Sequence, residues 1–285
     1  AARRQASGLQ TAYYDITGRA VTPRRLALHA APLMADRPRF AYAAGVAAAP
    51  LPHPDLSAAS CDIPKGYVKA MSCELAEYWR EAVHTEWSGI VARDTLEFVK
   101  QRDMPAGATL MNCHYVFDAK PRPDGSVEKF KARLVADGNT QQYGVDFTDV
   151  FATVVKMVSL RVVLVLAAAR RWRLWQFDVQ QAFLQATLTE QLFMRVPPNL
   201  PDRDADGDRL VCRLKKTLYG LRQAAREWST MLTDTLLRFG FRRCITDTCV
   251  YVFVDGDRTL VLCVYVDDLV LAFSHDDVRA RFSTF

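Results

Sequence analysis

Two adjacent carboxylates, Asp267 and Asp268, interrupt the apolar stretch LVLCVYVDDLVLAF at residues 260–273. The apolar run reaches Val266 with no glycine, proline or asparagine, so the spacing predicts two strands with both acids at the tip of a tight hairpin. An aspartate pair by itself is an ordinary turn former. Two like charges forced together at the end of a buried sheet, however, repel unless a cation holds them. A third acid, Asp178, breaks the strand pattern of WQFDVQQAFL at residues 175–184. Alone it would be a cap or surface group; with the pair it completes three hard oxygen donors. Such donors suit magnesium, which keeps several waters and accepts one or two carboxylates together with substrate phosphates. Two such ions side by side can activate an attacking hydroxyl and stabilise a leaving oxygen in an in-line phosphoryl transfer.

The elements that must position these acids follow from periodicity. Met71, Leu75, Trp79, Val83 and Trp87 recur at threes and fours and predict one amphipathic helix from Val68. Residues 110–118 and 130–136 predict a β-hairpin around Pro121, Pro123, Asp124 and Gly125. Residues 158–169 read as a buried helix and 172–179 as the strand that carries Asp178. A short strand over 210–214 precedes a helix over 222–239 that ends at Gly240, and strands follow at 249–254, 259–266 and 269–273. Helices interleaved with an antiparallel sheet make the expected fold α+β rather than doubly wound. Asp202, Asp204, Asp206 and Asp208 alternate in a loop, but Arg213 stands where a calcium loop requires glutamate.

Cations cluster in two places. Residues 120–133 hold five basic and two acidic residues on the hairpin, which suits phosphate contact, although a basic hairpin is also a common solvated surface. Residues 209–226 hold six basic residues and no acid around Leu218, Tyr219 and Leu221, a combination that suits a nucleic-acid track. The 285 residues are 50% hydrophobic with a net charge of +5, an ordinary globular balance that excludes wholesale disorder. Residues 1–60 hold 17 alanines, seven arginines and three aspartates, with no lysine or glutamate. Residues 1–66 are therefore expected to be a mostly disordered lead-in, with the folded domain at 67–285 nearly neutral. No apolar run approaches the roughly 20 residues of a membrane span. Seven cysteines without a Cys-x-x-Cys pair support neither disulfides nor zinc, so reduced thiols in an intracellular setting are expected.

Over residues 75–285 the chain resembles the reverse transcriptase of copia-type long-terminal-repeat retrotransposons. The resemblance rests on an ordered series of motifs: DGSVEKFKARLVADGNTQQYGVDF (124–147), FATVVKMVSLR (151–161), WQFDVQQAFL (175–184), LKKTLYGLRQAAREW (214–228) and VYVDDLVL (264–271). It implies a right-hand polymerase with fingers and palm, incomplete beyond the palm and lacking the thumb, and the activity of an RNA-directed DNA polymerase. It also implies two Mg2+ ions, replaceable by Mn2+, held by Asp178, Asp267, Asp268 and the carbonyl of Val179. By the same resemblance Lys131, Arg133, Gln181, Ala182 and Phe183 bind the deoxynucleoside triphosphate, with Phe183 as a steric gate against a 2′-hydroxyl. Tyr219, Gly220, Arg222, Gln223 and Tyr265 fall where the family meets template and primer. The implied partners are RNA and DNA template-primer, deoxynucleotides and the integrase and RNase H of a polyprotein, with no membrane. The implied setting is a cytoplasmic virus-like particle with nuclear access. The alternative is a non-catalytic chain that only binds nucleic acid. Three departures from the family pattern carry expectations. Gln185-Ala186 stands where a positive-φ turn is expected, Ala225 replaces a proline at a helix start, and Asp137 adds a negative charge beside the triphosphate residues.

Overall fold

A computed structural model of the chain describes residues 56–284. In chain order the elements are α1 (Tyr67–Ser72), α2 (Ala76–Ala92), β1 (Leu96–Lys100), β2 (Leu110–Met111), β3 (Cys113–Pro121), β4 (Val127–Ala136), α3 (Met157–Arg170), β5 (Arg173–Asp178), β6 (Thr187–Arg195), β7 (Leu210–Lys216), α4 (Ala224–Phe239), β8 (Arg242–Arg243), β9 (Val250–Asp255), β10 (Arg258–Tyr265), β11 (Asp268–Phe273) and α5 (Asp276–Thr284). This is a mixed α and β architecture. Its described residues fall into two compact units, one of residues 151–182 and 228–284, the other of residues 56–150 and 183–227.

The first unit is built on a five-stranded sheet in the order β5-β11-β10-β9-β8, antiparallel throughout. The apolar runs of its central strands are buried at Leu260, Leu262 and Leu271 on one face and at Val261, Cys263 and Ala272 on the other, as expected for strands covered on both faces. From α4, Trp228, Leu232, Leu236 and Phe239 bury the stripe that their spacing predicts. Phe239 packs against Phe241, Phe253 and Phe282 at ring distances of 5.5, 5.1 and 5.2 Å. Helix α3 corrects the reading of a buried helix. Only Val163 and Ala167 are buried, while Val158, Val162 and Val165 are 69%, 60% and 69% exposed. A helix apolar all round carries no periodic signal for which side meets the sheet.

The second unit holds a four-stranded sheet in the order β1-β7-β6-β2 and the β3-β4 hairpin, on which α2 packs. Trp79 of α2 meets Phe130 edge-on at 4.6 Å and Phe117 at 5.3 Å, placing the largest apolar residues at the centre of this core. The single helix expected from Val68 is two. Cys73 is extended, and the Ser72 hydroxyl bonds back to the carbonyl of Val68 at 3.0 Å, a local alternative to helix propagation. The expected lead-in lies outside the described residues as far as 55. Of its last part, residues 56–58 pair with the hairpin turn: Val127 N–H donates to the Leu56 carbonyl at 3.0 Å and Ala58 N–H donates to that of Gly125 at 2.9 Å; Cys61, just beyond, is buried. In the aspartate loop the Lys100 ammonium occupies the centre, 2.7 Å from Asp208 and 3.2 Å from Asp204.

All seven cysteines are free thiols. Among the described residues no helix is long and apolar enough to cross a membrane.

Candidate active site

Strands β10 and β11 pair until Tyr265 faces Asp268, which leaves Val266 and Asp267 as the two central residues of the hairpin turn. The next pairing along the sheet puts Asp268 directly opposite Asp178, the last residue of β5. Cross-strand partners present their side chains on the same face. Register alone therefore brings two carboxylates together, with the third one residue away in the turn. Asp267 and Asp268 are exposed and Asp178 is half-buried.

The turn is strained. Val266 has φ 57°, a region that a two-residue hairpin normally fills with glycine or asparagine and that a β-branched residue occupies at a cost of about 1–3 kcal/mol. Two bonds from outside the hairpin hold it. Val179 N–H donates to the Asp267 carbonyl at 2.9 Å. The buried Trp228 indole N–H donates to the Val266 carbonyl at 2.8 Å. Tyr265, 53% exposed, stands beside this turn.

The donor set fits a divalent cation of magnesium type. Among the described residues no three His, Cys, Asp or Glu side chains close into a cage, and magnesium asks for none, because one or two carboxylates suffice when water and phosphate oxygens complete the octahedron.

The positive φ expected at Gln185-Ala186 lies instead at Gln181, at 49°, and Gln181 is followed by a 3-10 turn over Ala182–Gln185. That turn keeps residues 185 and 186 out of the left-handed region. Ala182 itself is buried.

In the second unit Lys131 and Arg133 alternate with buried residues on β4 and so share a face, opposite Asp118 and Val116 of β3. Burial pushes the Lys131 ammonium below the usual lysine range, and Arg133 and Lys120 add to this. Beneath the strand the buried carboxylate of Glu86 accepts the backbone N–H of Leu134 at 3.2 Å. The Arg133 guanidinium lies 5.9 Å from the centre of the Tyr219 ring, and Phe183 meets the same ring edge-on at 5.5 Å. The Thr217 hydroxyl donates to the Phe183 carbonyl.

The segment Tyr219–Gln223 is locked to residues 136–146. Ala136 N–H donates to the Tyr219 carbonyl at 2.8 Å. A Cβ on Gly220 (φ 89°) would stand 2.1 Å from the Ala136 carbonyl oxygen, and one on Gly138 would stand 2.2 Å from that of Gly220. Arg222 N–H donates to the Gln141 side chain at 2.9 Å, and Arg222 Nε donates to the Gly138 carbonyl at 3.1 Å. Gln223 corrects an expectation. It is fully buried, donating to the Asp146 carbonyl at 2.8 Å and accepting from Gln141 at 3.0 Å, so its side chain offers nothing to a template. Its place is to hold the turn.

Three of the six cations over 209–226 are also engaged within this unit. Arg213 pairs with Glu97, Lys215 pairs with Asp94, and Arg226 pairs with Glu227 at 2.6 Å and Asp149 at 3.4 Å. Asp137 pairs with His114 at 2.8 Å. Helix α4 starts at Ala224 without the proline. Gln141, Asp146, Glu86 and Trp228 escaped the sequence reading, because polar loop residues and one more aromatic in a helical stripe carry no local signal of what they will bond.

Residues 95–281 match the family model described as reverse transcriptase (RNA-dependent DNA polymerase). The chain is 38% identical over 208 residues, 73% of its length, to a retrovirus-related Pol polyprotein from transposon RE2 of Arabidopsis thaliana. It is 39% identical over 195 residues, 68% of its length, to that from transposon RE1 of the same plant. It is 33% identical over 192 residues, 67% of its length, to that from transposon TNT 1-94 of Nicotiana tabacum. The matched part covers only 14%, 13% and 14% of these relatives.

Proposed function

The chain belongs to the reverse transcriptase (RNA-dependent DNA polymerase) family, and from that premise we propose that it extends a primer with deoxynucleotides on an RNA or DNA template. The observation that carries this reading is the register that sets Asp268 opposite Asp178 with Asp267 in the adjoining turn. On this reading the unit with the five-stranded sheet is the palm and the other unit the fingers of a right-hand polymerase.

Asp178, Asp267 and Asp268, with the Val179 carbonyl, are the groups that would hold two Mg2+ ions or Mn2+ in their place. Bound there, the ions supply Lewis-acid activation of the primer 3′-hydroxyl and charge neutralisation at the triphosphate. The chain's own residues orient and select. The Asp178 and Asp267 carboxylates present oxygens from two backbone segments that the Val179 bond ties together. Lys131 and Arg133 provide cations for triphosphate oxygens, and a lysine already discouraged from carrying its charge gains most from such a partner. The Gln181 and Ala182 amides contribute donors. Phe183, braced by Tyr219, excludes a 2′-hydroxyl by bulk. Tyr219, Gly220, Arg222 and Tyr265 offer surface to the template and primer strands. The setting is a polyprotein that also carries integrase and RNase H, inside a cytoplasmic particle with nuclear access.

Primer extension on an RNA template with deoxynucleotides and Mg2+ tests this. The expected result is product from the wild-type chain and none from Asp267→Asn. Extension that survives Asp267→Asn, or ribonucleotides used in preference to deoxynucleotides, would overturn it.

A further inference from the structure

We propose that Trp228 is a positioning residue for the catalytic turn, acting through its indole N–H on the carbonyl of Val266. Three observations converge on this. Val266 sits at φ 57° in a turn with no glycine to relieve it. Such a conformation persists only where surrounding structure over-determines it. The turn's two central carbonyls are both claimed from outside the hairpin, Asp267 by the backbone of Val179 and Val266 by Trp228. Trp228 is 2% exposed, so its ring has no freedom to follow the turn if the turn shifts.

The two anchors do different work. Val179 adjoins Asp178, so its bond sets the distance between the two strand ends that carry acids. Trp228 comes from helix α4, so its bond fixes the tilt of the peptide between Val266 and Asp267, which decides where the Asp267 carboxylate points. Val264, two residues earlier, is held in turn by Val155 N–H at 3.0 Å. The hairpin is thus pinned up to its tip, and the last pin is a side chain.

A tryptophan that merely fills the core would act through stability, whereas a positioning tryptophan acts through turnover and is spared when the strain it holds is removed. Four forms of the full 285-residue chain separate the two: wild type, Trp228→Phe, Val266→Gly and the double variant. The kinetic arm rests on the polymerase reading above. Trp228→Phe keeps an aromatic ring but loses the donor and part of the bulk; the expected result is a fall of about tenfold or more in kcat, the scale of a small misplacement of reacting groups, with the deoxynucleotide KM nearly unchanged and the thermal midpoint lowered equally in both backgrounds. In the Val266→Gly background, where the turn needs no indole to hold it, the same substitution is expected to cost less than about threefold. An equal loss in both backgrounds, a loss tracking the thermal midpoint, or no loss at all overturns the proposal.

A second readout needs no activity. Hydrogen exchange of the Trp228 indole N–H, followed by NMR, is expected to be slow in wild type and in Val266→Gly. Exchange as fast as that of an exposed indole overturns the proposal. If the wild-type chain extends no primer, the polymerase reading falls and this exchange measurement alone decides the anchor.

Discussion

Lys131 is the residue at which stability and ligand binding are expected to pull apart. Burial, then the neighbouring Arg133 and Lys120, disfavour its charged form, so the folded state is destabilised by keeping that proton. The penalty is fully present at neutral pH and fades as pH rises from the lowered value towards the ordinary 10.5. Lys131→Met is therefore expected to raise the thermal midpoint at pH 7, and wild type should close that gap in alkaline buffer. The same substitution is expected to raise the deoxynucleotide KM by roughly tenfold, the worth of one charge-assisted contact. A thermal melt series from pH 7 to alkaline conditions, beside steady-state kinetics, checks both signs. Asp137 shows why charge alone misleads at this scale. Its acid reads as an intrusion beside the triphosphate residues, yet its partner is His114, 23 positions away in the chain.

At the scale of elements, the site is held by turns that bond to distant segments. The interlock of Gly138 and Gly220 leaves no room for a methyl group, because the carbonyl oxygen of Ala136 lies where the Gly220 Cβ would be. Gly220→Ala is expected to lose more than about 3 kcal/mol in urea unfolding, the sum of a backbone clash and a positive φ. Asp247 plays a similar part for helix α3: its carboxylate accepts Lys156 N–H at 2.9 Å, at the start of that helix, and Cys249 N–H at 3.0 Å. Burial opposes its charge, but the bonds from Ser159, Lys156 and Cys249 outweigh it and hold the carboxyl below its ordinary value. Its contribution is present above pH 3.8 and is lost as pH falls through the lowered value. Asp247→Ala should cost about 2 kcal/mol at pH 7, from one buried and one partly buried donor left without an acceptor, and progressively less in acid. Chemical unfolding across pH 2–7 reads this directly.

For the whole molecule, charge and chemistry sit in different places. Of the net +5, residues 1–55 contribute seven arginines against three aspartates, while residues 61–285 are close to neutral. Several cations over 209–226 that looked available for nucleic acid are spent on carboxylates of their own unit. Non-specific binding is therefore expected to depend heavily on the first 55 residues. A chain that starts at residue 56 should bind RNA more weakly at about 50 mM salt and show a shallower salt dependence up to about 200 mM. Its rate of single-nucleotide extension at saturating primer-template should be nearly unchanged. Fluorescence anisotropy titrations over that salt range test the first expectation, and an equal slope for both chains contradicts it.

The chain order of residue types determined which groups could do chemistry, because three carboxylates set into apolar strands and two basic clusters are visible wherever the chain goes. It also determined the strands at 259–266 and 269–273, apolar runs on either side of an acid pair, and the strand at 172–179, rich in aromatic residues up to Asp178. Tertiary structure decided what those patterns share. Pairing register, not spacing, put Asp178 across from Asp268. Packing turned Gln223 from a template contact into a buried brace and exposed one face of α3, since neither polarity nor unbroken apolarity states which neighbour a side chain will meet. The strain at Val266 and the bonds that meet its turn are likewise invisible in sequence: a positive φ at valine runs against local preference, and the donors come from Val179 and from a helix 38 positions away.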